Sequence, residues 1–239
     1  MIESLLFVFL ITLGGILITL SVHLIPVGGA PAAMAQAPGV GTGTTQLAFG
    51  IGLTGLLVTI SVYTLSDNTL LGIVFGGIAS TVMIAIVMLI SNVSYIYGIG
   101  IPLASGKAVK DPITKDRQDI YISKGTEGHG VPTAAFLSGI IGGFVGGIGG
   151  SLIYAVLYMA LSSEINAPLA AVVSLPMILA ISIYIINAVI ASYNIGGTIE
   201  GFYDPKIKKV YKAVLVSAIV TFLCGVLSLI IILKSGGVV

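Results

Sequence analysis

The sequence predicts an all-α polytopic membrane protein with about six transmembrane helices, close packing through glycine and a candidate hairpin repeat. Three observations predict it. Only 8% of the 239 residues are charged, about a third of the roughly 25% that a soluble globule uses to face water, and the mean hydropathy is +1.15. Six apolar runs reach the roughly 20 residues that a helix needs to cross a bilayer. Thirty-two glycines supply the small surfaces through which helices associate in lipid. The same arithmetic excludes other classes. A net charge of +1 gives no electrostatic footprint for nucleic acid, and Cys224 has no second cysteine for a disulfide or a thiolate metal cluster.

The runs lie at about 4–24, 46–65, 70–97, 132–161, 168–193 and 213–233 of a single membrane domain, 1–239. Gly, Pro, Asn or charged residues bound each one. The first follows Met1, Ile2 and Glu3 with no basic residue before it, so it lacks the start of a signal peptide and is expected to be retained. Connections 25–45, 98–131 and 194–212 carry Lys107, Lys110, Lys115, Arg117, Lys124, Lys206, Lys208, Lys209 and Lys212, whereas the opposite side has Lys234 alone. The positive-inside rule then puts these loops in the cytoplasm and both termini outside the cell membrane. The cluster Lys206, Lys208, Lys209 and Lys212 serves as an anchor on anionic headgroups or as a dock for an acidic soluble partner. Connection 25–45 has no charge, and with its Gly and Pro it is expected to line a cavity or re-enter the membrane, or to be buried by a neighbouring chain.

In the fourth span, Gly139, Gly142, Gly143, Gly146, Gly147 and Gly150 form four overlapping G-x-x-x-G pairs. They predict close backbone contact with another helix, the rival being a glycine-lined pore or hinge. A shift of 87 residues aligns Gly41, Gly43, Ala48, Phe49, Gly52 and Gly55 with Gly128, Gly130, Ala135, Phe136, Gly139 and Gly142, which suggests a duplicated hairpin.

None of the spans has a charged residue near its centre, so the signature of a self-sufficient proton pump is missing. Asn92 and Asn187 are the deepest strong ligand types, able to contact Na⁺ through an amide oxygen or to join helices by hydrogen bonds. Ala180, Tyr184, Asn187, Ala191 and Asn194 follow the 3.6-residue period and make one small or polar stripe. Glu127 and His129, and Thr198 and Glu200, stand beside glycines that let a ligand approach the backbone, so each pair is a candidate border of a site. Asp67 and Glu164 are candidates for an outer mouth, or solvated caps. His23 and His129 have no partner spacing for zinc or cobalt, and Gly100–Lys107 has the wrong spacing for a phosphate loop.

Pro26–Met34, Gly39–Gly43, Gly125–Thr133 and Asn187–Gly201 resemble the D-subunit family of tetrahydromethanopterin S-methyltransferase from methanogenic archaea, and the resemblance covers nearly the whole chain. It implies a membrane complex that moves a methyl group from methyl-tetrahydromethanopterin to coenzyme M, coupled to outward Na⁺ pumping. It also implies the C and E subunits as membrane partners, a corrinoid-bearing A subunit that holds the cobamide, and coenzyme M near this chain. No catalytic residue and no bound cofactor are expected here. The alternatives are a stand-alone Na⁺-coupled transporter or channel, and a purely structural membrane subunit.

Overall fold

A computed structural model describes residues 2–26, 42–66, 68–100, 102–122, 128, 130–162, 169–196 and 198–236. Six long helices make up most of it: α1 (Ile2–Leu24), α2 (Thr42–Ser66), α3 (Thr69–Ser94), α4 (Pro132–Ser162), α5 (Leu169–Ile195) and α6 (Val210–Gly236). All six are long and apolar enough to cross a membrane. The described residues contain no strand, only isolated bridges that tie Pro26 to Thr198, Ser105 to Gly128 and Lys110 to Arg117.

The helices start and stop where side chains or special backbone satisfy their free ends. Asn68 caps α3 by accepting from the Leu71 amide at 3.0 Å, and Pro132 opens α4 at the position where a missing N–H costs nothing. Gly196, at φ +64, closes α5 in the left-handed conformation that glycine adopts without strain. The α-helical part of α3 ends at Ser94, short of the expected Tyr97, because a π turn over Tyr95–Ile99 takes over before Gly100. α2 and α6 outrun their apolar runs at both ends and α1 at its start, whereas α1 ends and α4 begins with its run and α5 begins one residue inside it. Polar ends such as Glu3 in α1 and Lys212 in α6 satisfy the helical backbone outside the hydrocarbon as well as apolar residues do.

Helix α4 is the most buried of the six and packs against α1, α2, α3 and α5, while α6 leans on α1 and α5. Its glycines set the distances. Positions 143 and 147 receive α3, 142 and 146 receive α1 near Ser21, and 146 and 150 form a slot for the Tyr184 ring. Each predicted G-x-x-x-G pair that starts at 142, 143 or 146 is therefore a contact within this chain. The 87-residue relation does not extend to packing partners, since Gly55 faces Ser80 and Gly76 of α3 whereas its counterpart Gly142 faces Ser21, Leu24 and Ile25 of α1. The outer faces of α3 and α6 stay apolar and open, with Leu70, Val82, Ile90, Leu215, Leu223 and Leu227 exposed. Such faces suit lipid or another membrane chain.

Candidate functional site

At the lysine-bearing end of the bundle the last carbonyls of α1 would be orphans, since a helix leaves four of them unpaired. Side chains from distant segments take them up. Thr198 donates to the His23 and Ile25 carbonyls at 3.1 and 3.2 Å, and Ser138 of α4 donates to the Leu24 carbonyl at 2.5 Å. Ser138 accepts in turn from the Phe202 amide at 2.9 Å. Gly201, at φ +59, lies so close that a Cβ there would strike Ser138. The segment after α5 is thereby sewn onto the end of α1.

His23 is fully buried in this seam. Its Nδ1 lies 2.6 Å from the Thr19 carbonyl, so that nitrogen must carry the proton and donate it. Nε2 is left as the acceptor for Asn194 Nδ2 at 3.0 Å. The same Asn194 nitrogen donates to the Lys209 carbonyl at 3.0 Å, which fixes the direction of the amide. Two turns deeper on α5, Asn187 is also fully buried. Its Oδ1 receives Ser217 at 2.5 Å, Thr221 at 3.1 Å and Thr19 at 3.3 Å. Its Nδ2 donates to the Ile183 carbonyl at 2.9 Å and toward Thr221 at 2.9 Å. Four neutral oxygens from α1, α5 and α6 thus converge below the lysine-bearing surface, with no charged side chain among them.

Above this cluster a buried carboxylate ties both ends of the connection between α3 and α4 to the segment after α5. Glu200 is 4% exposed; it receives the Val131 amide at 2.6 Å and the Ser105 hydroxyl. Ser105 in turn accepts the Lys107 and Ala108 amides at 3.1 and 3.2 Å, and its own amide donates to Gln118 at 3.1 Å. Asp111 organises the next turn by accepting the Ile113 amide at 2.7 Å, the Thr114 amide at 3.0 Å and the Thr133 hydroxyl at 2.6 Å. Asp204 does the same for the Ile199 and Lys206 amides, at 3.0 and 2.9 Å.

Burial pulls the Asp111 carboxyl upward, but the Thr133, Ile113 and Thr114 hydrogen bonds and the Lys115 charge outweigh it and hold the group below the usual carboxylate range. At Asp204 burial is likewise outweighed, by the Lys206 and Ile199 amides and the Lys107 and Lys206 charges. A carboxyl whose folded pKa lies below its unfolded one contributes stability that is complete above the unfolded value, about 4, and lost as pH falls through the folded value. Hydrogen exchange, corrected for its intrinsic pH dependence, should therefore show the Ile113, Thr114 and Ile199 amides protected at about pH 6 and losing protection below about pH 4. Equal protection at about pH 3 would exclude these carboxylates as its source.

The structure thus brings together four of the residues expected from the sequence, Asn187, Asn194, Thr198 and Glu200, all around the end of α1. Asn92 is half-buried on α3 and takes no part in these bonds. Glu127, His129, Asp67 and Glu164 lie outside the described residues, as does most of connection 25–45. The sequence reading missed His23, Thr19, Ser217 and Ser105. Thr19 and His23 stand one turn apart on the same face of a mostly apolar helix, which is the available signal; Ser217 and Ser105 carry none.

Residues 4–221 match the family profile described as the D subunit of tetrahydromethanopterin S-methyltransferase. The chain is 48% identical over 240 residues to the D subunit from Methanosarcina barkeri, covering 96% of this chain and 95% of that one. Against the D subunit from Methanothermobacter thermautotrophicus it is 48% identical, over 96% of this chain and 97% of the other. The Methanocaldococcus jannaschii protein of the same description is 45% identical, over 93% and 94%. With matches of this length over a six-helix fold, the chain belongs to the D-subunit family of tetrahydromethanopterin S-methyltransferase.

Proposed function

We propose that this chain is a membrane subunit of the complex that moves a methyl group from methyl-tetrahydromethanopterin to coenzyme M, and that it forms part of the path of the Na⁺ coupled to that transfer. Family membership supports the first half. In this reading the lysine-bearing end faces the cytoplasm and both termini lie outside, in the cell membrane, beside the C and E membrane subunits and the corrinoid-bearing A subunit. The cobamide belongs to that partner. This chain's buried histidine does not suit it as a ligand, because both His23 nitrogens are engaged, by Thr19 and by Asn194. No nucleophile or general base is assigned to the chain.

The observation that carries the Na⁺ reading is the Asn187 cluster. Na⁺ is a hard monovalent ion satisfied by neutral oxygens, and the amide of Asn187 with the hydroxyls of Thr19, Ser217 and Thr221 supplies four from three helices. Intramembrane polar groups of this kind are costly and tend to mark pathways. The complete hydrogen bonding of Asn187 favours the rival reading, in which the cluster only joins helices. Methyl transfer by the assembled complex separates the two. Asn187→Ala, with Thr221→Val as a second variant, is expected to raise the Na⁺ concentration for half-activation about tenfold, the equivalent of roughly 1.4 kcal/mol. Unchanged Na⁺ activation in an intact complex would leave the cluster as glue.

A further inference from the structure

The outer half of the bundle carries a second line of hydroxyls, on α2, α3 and α4. Thr59 and Ser151 meet at 2.6 Å, in a space that exists because Gly76 has no side chain, for a Cβ there would strike both. One turn beyond Ser151 on the same face of α4, Tyr154 is fully buried, and its hydroxyl has no hydrogen-bond partner among the described residues. Its ring lies 6.0 Å from that of Tyr158, which packs edge-on against Tyr63 at 4.6 Å near the outer helix ends. Tyr184, one turn outward of Asn187 on α5, is also fully buried. Its ring fills the slot between Gly52 and Gly150. Its hydroxyl faces Ser21, which donates its own proton to the Gly142 carbonyl at 2.6 Å and so meets Tyr184 only with its oxygen lone pairs.

Buried polar groups in native proteins are nearly always paired, so each exception calls for a reason. Packing does not supply one here, because phenylalanine would fill both spaces without stranding a hydroxyl. What a phenol adds is a neutral oxygen that can face a cation or a water. Both tyrosine hydroxyls, the orphan on Tyr154 and the one on Tyr184 that meets Ser21, stand between the Asn187 cluster and the outer helix ends. The surrounding oxygens are hydroxyls, amides and carbonyls, a set suited to a monovalent cation and lacking the carboxylates that hold Ca²⁺ or Mg²⁺. We infer that Tyr184 and Tyr154 continue the cation route outward, from the Asn187 cluster to an outer mouth at Tyr63 and Tyr158, an assignment that rests on the proposed Na⁺ path.

The test uses the whole complex in liposomes, with radioactive Na⁺ counted against methyl groups transferred. Tyr154→Phe removes a hydroxyl that bonds nothing among the described residues, and Tyr184→Phe one that meets only Ser21, so the complex should assemble in both, with the melting temperature unchanged in the first and little changed in the second. Na⁺ moved per methyl should fall about fivefold in each, the size of one lost oxygen contact, and further in the double variant. Tyr97→Phe, at an 84% exposed residue, should match the wild type. If both buried variants carry Na⁺ normally while Asn187→Ala is impaired, the route is wrong and the Na⁺ reading stands. If Asn187→Ala is normal as well, both are overturned. Loss of assembly on either Tyr→Phe change would show the hydroxyl to be structural and would also refute the route.

Discussion

Gly147→Ala is expected to destabilise the chain by about 3 kcal/mol, at the upper end of overpacking effects, and to leave little assembled complex in the membrane. A Cβ on Gly147 would lie 2.6 Å from Ser80 Oγ, 2.7 Å from the Gly76 carbonyl oxygen and 2.8 Å from Gly77 Cα. Two of these are backbone atoms, which no rotamer change can move, so α3 and α4 would have to separate along their contact. Separation is costly in lipid, where apolar side chains gain little by leaving their solvent and close packing is the main force between helices. It would also open the space beside Gly76 in which Thr59 of α2 and Ser151 of α4 meet at 2.6 Å. Gly50→Ala is the matched control: a Cβ there meets nothing within 4 Å, and alanine favours the helix by about 1 kcal/mol. Melting of the purified complex should fall for the first variant and hold or rise for the second. Equal melting temperatures would mean that α3 and α4 are not held at this distance by glycine.

Why Gly147 matters and Gly50 does not was only partly legible in the sequence. The run of glycines in α4 announced a close-packed face, yet the sequence did not say that the face is divided among α1, α3 and the Tyr184 ring. The helices themselves were legible because each apolar run is long and the breaks between them are polar or rich in Gly and Pro. The site was legible as residue types and not as an assembly. Asn187, Asn194, Thr198 and Glu200 stood out individually, but what unites them is the end of α1. Its bonds to the first three span 168 residues from Thr19 to Asn187, 171 from His23 to Asn194 and 175 from His23 to Thr198. No local period encodes such a pairing. The role of His23 is illegible in the sequence for a related reason. Judged as a metal ligand it lacks companions of the right type, whereas its actual partners are a backbone carbonyl and an amide, which no spacing rule registers.

The last consequence concerns the carboxylate above this seam. Glu200→Ala should cost about 2–4 kcal/mol, because it leaves the Val131 amide and the Ser105 hydroxyl buried without an acceptor, at about 1–3 kcal/mol for each unpaired group. The damage should be local before it is global. Ser105 accepts from Lys107 and Ala108, so losing its bond to Glu200 frees the start of the 102–122 loop. Val131 immediately precedes Pro132, the first residue of α4. Glu200 itself lies between Thr198, which caps α1, and Gly201, which abuts Ser138. One side chain therefore holds the loop after α3, the entry to α4 and the end of α1 in a single arrangement. Glu200→Gln is the informative companion. Its amide oxygen can still accept from Val131, but its NH₂ can only donate toward Ser105, whose oxygen already receives two amides, so about half of the loss should remain. Limited proteolysis of the complex should show the 102–122 segment cut fastest in the alanine variant, at an intermediate rate in the glutamine variant and slowest in the wild type. If alanine and wild type were cut alike, the loops would be held by something other than Glu200. If cutting rose while Na⁺ activation of methyl transfer stayed normal, the carboxylate would be a structural clamp alone. A parallel fall in that activation would place the clamp in the coupling between the lysine-bearing loops and the Asn187 cluster, through the Thr198 contact with the end of α1.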